Sequence, residues 1–222
     1  MNCKRLCRSA LCLASGKLTR PTSGRHIKVT NGKVVLDQRK YIIEKIMPVK
    51  VSKGCLGNKT SLFEPEEFEQ YRSLLYKINW VAHQTRPEAA GVVSLLSSRL
   101  NRANIYDLSC LNKLAVLLRS TAQHPLVLHR FESNKMIFIA ASDAGGVDSL
   151  PVSEEPGAVT DTTQGAWIIM ASDAMPSAST SCKVPILSWR SAKLRRRVSP
   201  TLAGEALAFS QSLSELEWLQ VM

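Results

Sequence analysis

The chain has 222 residues, an ordinary globular composition and a formal net charge of +11, which is length enough for one large domain or two small ones. No apolar run approaches the roughly 20 residues that a membrane-spanning helix needs, so a helical span is excluded at this level. The charge is uneven. Residues 1–36 hold eight Lys and Arg and no acid, while the remainder holds 21 basic and 18 acidic side chains. Such a surplus predicts electrostatic attraction to polyanions and not sequence recognition.

Residues 1–25 are basic, free of acid and scattered with Ser and Thr, as mitochondrial transit peptides are; the plainer expectation is a disordered, solvated tail. Cys3, Cys7 and Cys12 with His26 fit no common zinc spacing, and none of the six cysteines forms a Cys-x-x-Cys pair. Reduced thiols of an intracellular protein are expected.

Residues 26–36 alternate apolar and polar around Asn31-Gly32, a strong hairpin signal. Asp37 stands where a helix cap belongs, and Arg39 to Met47 can wind until Pro48 stops them. Residues 48–62 carry Pro, Gly, Ser and Lys without periodicity and read as a surface connection. Three helices follow. The first spans about Glu64 to His83, with Pro65 and acids in its first turn. Thr85-Arg86-Pro87-Glu88 breaks the chain. The second helix spaces Val92, Leu95, Leu96 and Leu100 for one buried face, and the third, about Asp107 to Thr121, does so with Leu108, Leu111, Leu114 and Leu118.

Met136 to Ala144 is an apolar strand ending at Asp143. Residues 143–161 hold five acids and no base and read as an exposed loop. Thr163 to Met170 and Val184 to Arg190 are two more strands, with Asp173 in a turn-like stretch between them. The final helix, about Thr201 to Leu219, is expected to bury Leu202, Ala206, Phe209, Leu213 and Leu216. At about 100° per residue, Glu205 then lies roughly 60° from the centre of that face and Glu215 roughly 140° from it, in solvent. Glu217 reads as a surface residue. Trp167, Trp189 and Trp218 sit inside apolar patterns and are expected in the core. Lys193, Arg195, Arg196 and Arg197 form a basic run that either meets nucleic-acid phosphates or is a solvated turn. There is no Gly-x-Ser-x-Gly, Walker or Rossmann fingerprint.

Four blocks, in order, resemble the copia-type retrotransposon polyprotein. Tyr71-Arg-Ser-Leu-Leu-Tyr-Lys-Ile-Asn-Trp-Val-Ala-His-Gln-Thr-Arg-Pro87 resembles the family's YRSLxGxLxWLAxxTRPD block, followed by Val92-Val-Ser-Leu-Leu-Ser-Ser. Ser142-Asp143-Ala144 is similar to the SDA that ends its first ribonuclease H strand. Ser188-Trp-Arg-Ser-Ala-Lys-Leu is similar to SWRSxKQ, and Thr201-Leu-Ala-Gly-Glu-Ala to STxAEA. The turn after Asp143 and the Pro-Ser-Ala-Ser stretch at 176–179 depart from the family.

The resemblance implies an α+β protein in four parts. These are the basic segment 1–25, a palm and thumb remnant at 26–62, a helical thumb and connection at 63–130, and an incomplete ribonuclease H-like domain at 131–222. That last domain would hold about three antiparallel strands and one helix. Asp143 and Glu205 match the family's first two acidic ligands for Mg²⁺, which as a pair of ions cleaves the RNA strand of an RNA–DNA hybrid. The family's later carboxylates lie past the position of Met222, and its YxDD polymerase block lies before residue 26. The expectation is therefore a truncated and inactive relative. The alternative is a non-catalytic basic nucleic-acid-binding protein. The apolar strand that ends at Asp143 is also expected to form an exposed edge that invites self-association.

Overall fold

The computed structural model describes residues 19–22, 24–30, 32–50, 63–131, 136–146, 163–175, 184–194 and 201–221. Cys3, Cys7 and Cys12, the acidic stretch 147–161, the stretch 176–179 and Arg195 to Arg197 lie outside these residues. What is described is an α+β protein with two antiparallel sheets and five α-helices.

The first sheet has four strands in the order β1 (Thr19–Thr22), β2 (Arg25–Thr30), β3 (Lys33–Asp37), β4 (Leu126–His129). β2 and β3 form the expected hairpin. Gly32 adopts φ +72° at its turn, a backbone conformation that costs glycine nothing and other residues more. Two of its strands depart from the sequence reading. β1 falls in the segment expected to be disordered, and β4 falls in a region expected to be helical. Pairing of Val34 with Leu128 and Val35 with Val127 joins chain from two of the parts expected to be separate.

Helix α1 (Arg39–Lys45) follows β3. Its N-cap residue is Gln38, one residue later than expected, although Asp37 Oδ1 still accepts the Arg39 N–H at 2.7 Å. Helix α2 (Pro65–Ala82) begins with proline in its first turn and Glu66 and Glu67 favouring the dipole. After α3 (Ala90–Ser98) comes α4 (Ile105–Ser120), where Asn104 and Asp107 each accept the other's backbone N–H at 3.1 Å. This reciprocal box satisfies donors that the first turn leaves free.

Ile42 and Ile46 pack with Tyr71, Leu74, Leu75 and Ile78 of α2, Val93 and Leu96 of α3, and Leu108, Leu111, Leu114 and Leu118 of α4. The α4 stripe is the expected one. In α3, Val93 is buried and Val92 exposed, the reverse of what was expected for Val92. The Thr85-Arg86-Pro87 break is a corner joint. Thr85 Oγ1 donates to Gln38 Oε1 at 2.7 Å, and the buried Arg86 guanidinium donates to the Thr121 carbonyl at 3.1 Å, closing the C-terminal end of α4.

The second sheet runs β5 (Ile137–Gly146), β6 (Thr163–Ser172), β7 (Ile186–Lys193), with β6 in the centre. Helix α5 (Thr201–Val221) lies across β5 and β6. The opposite face is tied to the helical unit. Trp189 Nε1 donates to the Ala82 carbonyl at 2.8 Å, and Gln164 Nε2 donates to Ser94 Oγ at 2.8 Å and Ser191 Oγ at 2.9 Å. No helix is long and apolar enough to cross a membrane among the described residues.

Candidate functional site

β5 and α5 position the two candidate carboxylates. β5 continues past Asp143 to Gly146, so Asp143 lies within the strand and not at its end. It pairs with Ala166, and its neighbour Ala144 pairs with Gly165. Side chains alternate across a strand. Ala144 is buried toward α5, where a Cβ on Gly204 would stand 3.5 Å from the Ala144 Cβ and 3.2 Å from Thr163 Cγ2. Glycine at 204 thus permits the close approach of helix and strand. Asp143 consequently projects to the other face of the sheet. It is exposed, and its Oδ1 accepts the N–H of Ala144 at 2.9 Å.

Glu205 follows Gly204 and is exposed. The two acids therefore flank one contact, Ala144 against Gly204, from opposite faces of β5. β5 pairs with β6 alone among the described residues, so it is the edge strand the sequence predicts.

α5 buries a different stripe from the one expected. Gly204, Ala208 and Ser212 face the sheet, with Ala208 and Ser212 fully buried. Leu202 is 77% exposed, Phe209 53% and Leu213 39%, and Ala206 is exposed too. A Cβ on Gly165 would meet Ala208 at 3.6 Å, so the helix approaches too closely for large side chains. Close approach selects small residues, whereas the expected stripe followed apolarity alone. Glu205 again falls roughly 60° from the centre of the buried face, at about 100° per residue, but on its other margin. Glu215 is corrected as well. Instead of standing in solvent it is half-buried and accepts a hydrogen bond from Ser188 Oγ at 3.1 Å. Glu217 is exposed.

Trp167 and Trp189 are buried and Trp218 is half-buried. Lys193, the last residue of β7, is exposed.

Mg²⁺ demands near-octahedral oxygen coordination, with carboxylates, water and substrate phosphate as ligands. Among the described residues no group of three or more His, Cys, Asp and Glu side chains could hold a metal. Asp143 and Glu205 are exposed carboxylates on packed elements, β5 and α5, two oxygen donors of the kind that Mg²⁺ takes.

No family model and no curated protein matches this chain.

The strongest polar environment in the described structure is elsewhere, in the helical core. Asp107 is fully buried and lies 3.5 Å from Arg99 Nε. Burial raises its carboxyl pKa, opposed by the Arg99 charge and the Asn104 N–H. Tyr71, also fully buried, has its phenol raised by burial first and by the Asp107 charge second, and its hydroxyl has no hydrogen-bond partner among the described residues. The sequence signal for this cluster is the Asn-x-x-Asp capping spacing, which places Asp107 at the helix start. Only the packing of α2 against α4 brings Tyr71 to it.

Proposed function

We propose that the chain is part of a copia-type reverse transcriptase–ribonuclease H module that binds an RNA–DNA hybrid without cleaving it. What supports the reading is the order of the four resembling blocks along one framework. The long block lies on α2 and the turn after it, Ser142-Asp143-Ala144 on β5, the Ser-Trp-Arg-Ser block on β7 and Thr201 to Ala206 at the start of α5. The observation that carries it is the Ala144–Gly204 approach, which sets Asp143 and Glu205 around the same end of the edge strand. The resemblance matches Asp143 and Glu205 to only two of the family's acidic ligands, which supports holding hybrid without hydrolysing it. Lys193, exposed at the end of β7, is available to a phosphate.

The test is a cleavage assay on labelled RNA–DNA hybrid with Mg²⁺ or Mn²⁺, alongside Asp143→Asn and Glu205→Gln. The expected outcome is hybrid binding with no cleavage above either variant. Cleavage by the wild type that both substitutions abolish overturns the non-cleaving reading and makes the chain an active nuclease. Absence of hybrid binding removes the nucleic-acid reading altogether.

A further inference from the structure

Four of the eight basic residues in the first 36 positions, Arg20, Arg25, Lys28 and Lys33, belong to strands of the first sheet. Folding sorts some of that charge onto one face. Partners across an antiparallel pair share a face. Thr30 pairs with Lys33 and Lys33 with His129, Lys28 pairs with Val35 and Val35 with Val127, and His26 pairs with Asp37. One face therefore carries His26, Lys28, Lys33 and His129 with short neutral side chains between them. The alternate positions, Ile27, Val29, Val34, Leu36, Leu126 and Leu128, give an apolar second face on which Leu36 is buried.

His26, Lys28 and Lys33 are exposed. Arg130, also exposed, donates its backbone N–H to the Gly32 carbonyl at 2.8 Å and, following His129, alternates to the other side of the sheet. Lys28 and Lys33 are diagonal neighbours, a relation that sets the two residues about 7–8 Å apart. Asp37 is the one acid of this face among the described residues, and its Oδ1 accepts the Arg39 N–H. No ion pair among the described residues involves Lys28, Lys33 or Arg130.

We propose that this face of the first sheet, through Lys28 and Lys33, is a binding surface for the phosphate backbone of nucleic acid. The inference deepens the function proposed above and rests on its nucleic-acid partner. Like charges on neighbouring strands repel one another and gain nothing for the fold. A polyanion laid across the sheet relieves that repulsion, and counterion release makes the contact salt-dependent and blind to sequence. Thr30, Val35 and Val127 leave no bulky side chain standing between the cations. No Phe, Tyr or Trp lies on the strands of this sheet, and its exposed lysines suit phosphate contact. The surface therefore reads backbone charge.

The experiment measures fluorescence anisotropy of a labelled RNA–DNA hybrid across a salt series for the full chain. It compares wild type, Lys28→Ala with Lys33→Ala, and Lys4→Ala with Arg5→Ala and Arg8→Ala. Both sheet lysines are exposed, so circular dichroism of the double variant should match wild type. The expected result is a slope of log affinity against log salt shallower by about 2 for the sheet variant, with binding about tenfold weaker or more at low salt. A sheet variant that keeps the wild-type slope and affinity overturns the proposal while leaving hybrid binding in place. Loss confined to the Lys4, Arg5 and Arg8 variant also overturns it and assigns binding to the N-terminal segment. Polyglutamate displacing the hybrid equally well per unit charge would make the face a site for acidic protein, overturning the nucleic-acid assignment. A wild type that binds no hybrid removes both this inference and the function on which it rests.

Discussion

Two buried polar residues show how much a single side chain's surroundings decide. Tyr71 is fully buried with a hydroxyl unpartnered among the described residues, and an unpartnered buried hydroxyl costs about 1–3 kcal/mol on protein scales. Tyr71→Phe removes it and keeps the ring against Phe63 at 5.1 Å. The variant is expected to be more stable by about 1 kcal/mol, read as a higher urea midpoint with an unchanged slope; a clear loss of stability would mean that the hydroxyl has a partner in solution. Asp107 sets a pH dependence opposite to that of a typical paired carboxylate. Its pKa is raised in the folded state by burial, so the native protein holds this proton more tightly than the unfolded chain does. The resulting contribution is fully present below the unfolded value, near 3.8, and is lost as pH rises through the folded value above it. Relative to Asp107→Asn, wild type should therefore gain stability between pH 7 and pH 4 in urea unfolding. A difference that stays flat, or moves in favour of the variant, would contradict this assignment.

The elements divide by where their stability comes from. Helices α2 and α4 carry their own signals: proline and acids at the start of one, a reciprocal cap on the other, and apolar stripes that match their buried faces. β4 has four residues and no internal alternation strong enough to announce it; pairing with β3 makes it a strand. In α5 the large apolar side chains are exposed and the small ones buried, because the helix comes close enough to touch Gly165 and Ala144. Among the described residues β5 is a ten-residue edge strand with one charged residue, Asp143. Edges of this kind pair with other chains unless a charge blocks them. Wild-type protein is expected to self-associate in light scattering, and Ala141→Lys, at an exposed position on that edge, is expected to restore a monodisperse monomer. A monodisperse wild type would remove the edge as a source of association.

At the scale of the whole molecule, the two sheets are joined through the helices by a few polar contacts. Trp189 is buried, and its indole N–H reaches the last residue of α2, while Gln164 bridges α3 and β7. Trp189→Phe deletes the hydrogen bond and leaves the Ala82 carbonyl without that donor, at a cost of about 1–3 kcal/mol. Because the bond crosses between units, the loss should fall on their coupling. Protease cleavage between the helical unit and β5 should quicken while the helical signal in circular dichroism holds. Equal loss of both signals would make the molecule a single cooperative unit.

The hairpin around Gly32, the four principal helices and the three later strands were legible in the sequence because each rests on local chemistry. A glycine takes a left-handed turn, a cap satisfies free amides, and a period of 3.6 or 2 marks one face. Asp143 and Glu205 were legible as candidate ligands through the resembling blocks, and their position on either side of one helix–strand contact follows from the register. Non-local pairing and approach distance lay beyond that reading. Only the tertiary structure turned Thr19–Thr22 and Leu126–His129 into strands, chose the small-residue face of α5, and drew Glu215 to Ser188. It also set Lys28 and Lys33 on one face of the first sheet. Local signals determine which segments wind or extend, but which side of each is buried depends on how closely its partner can come.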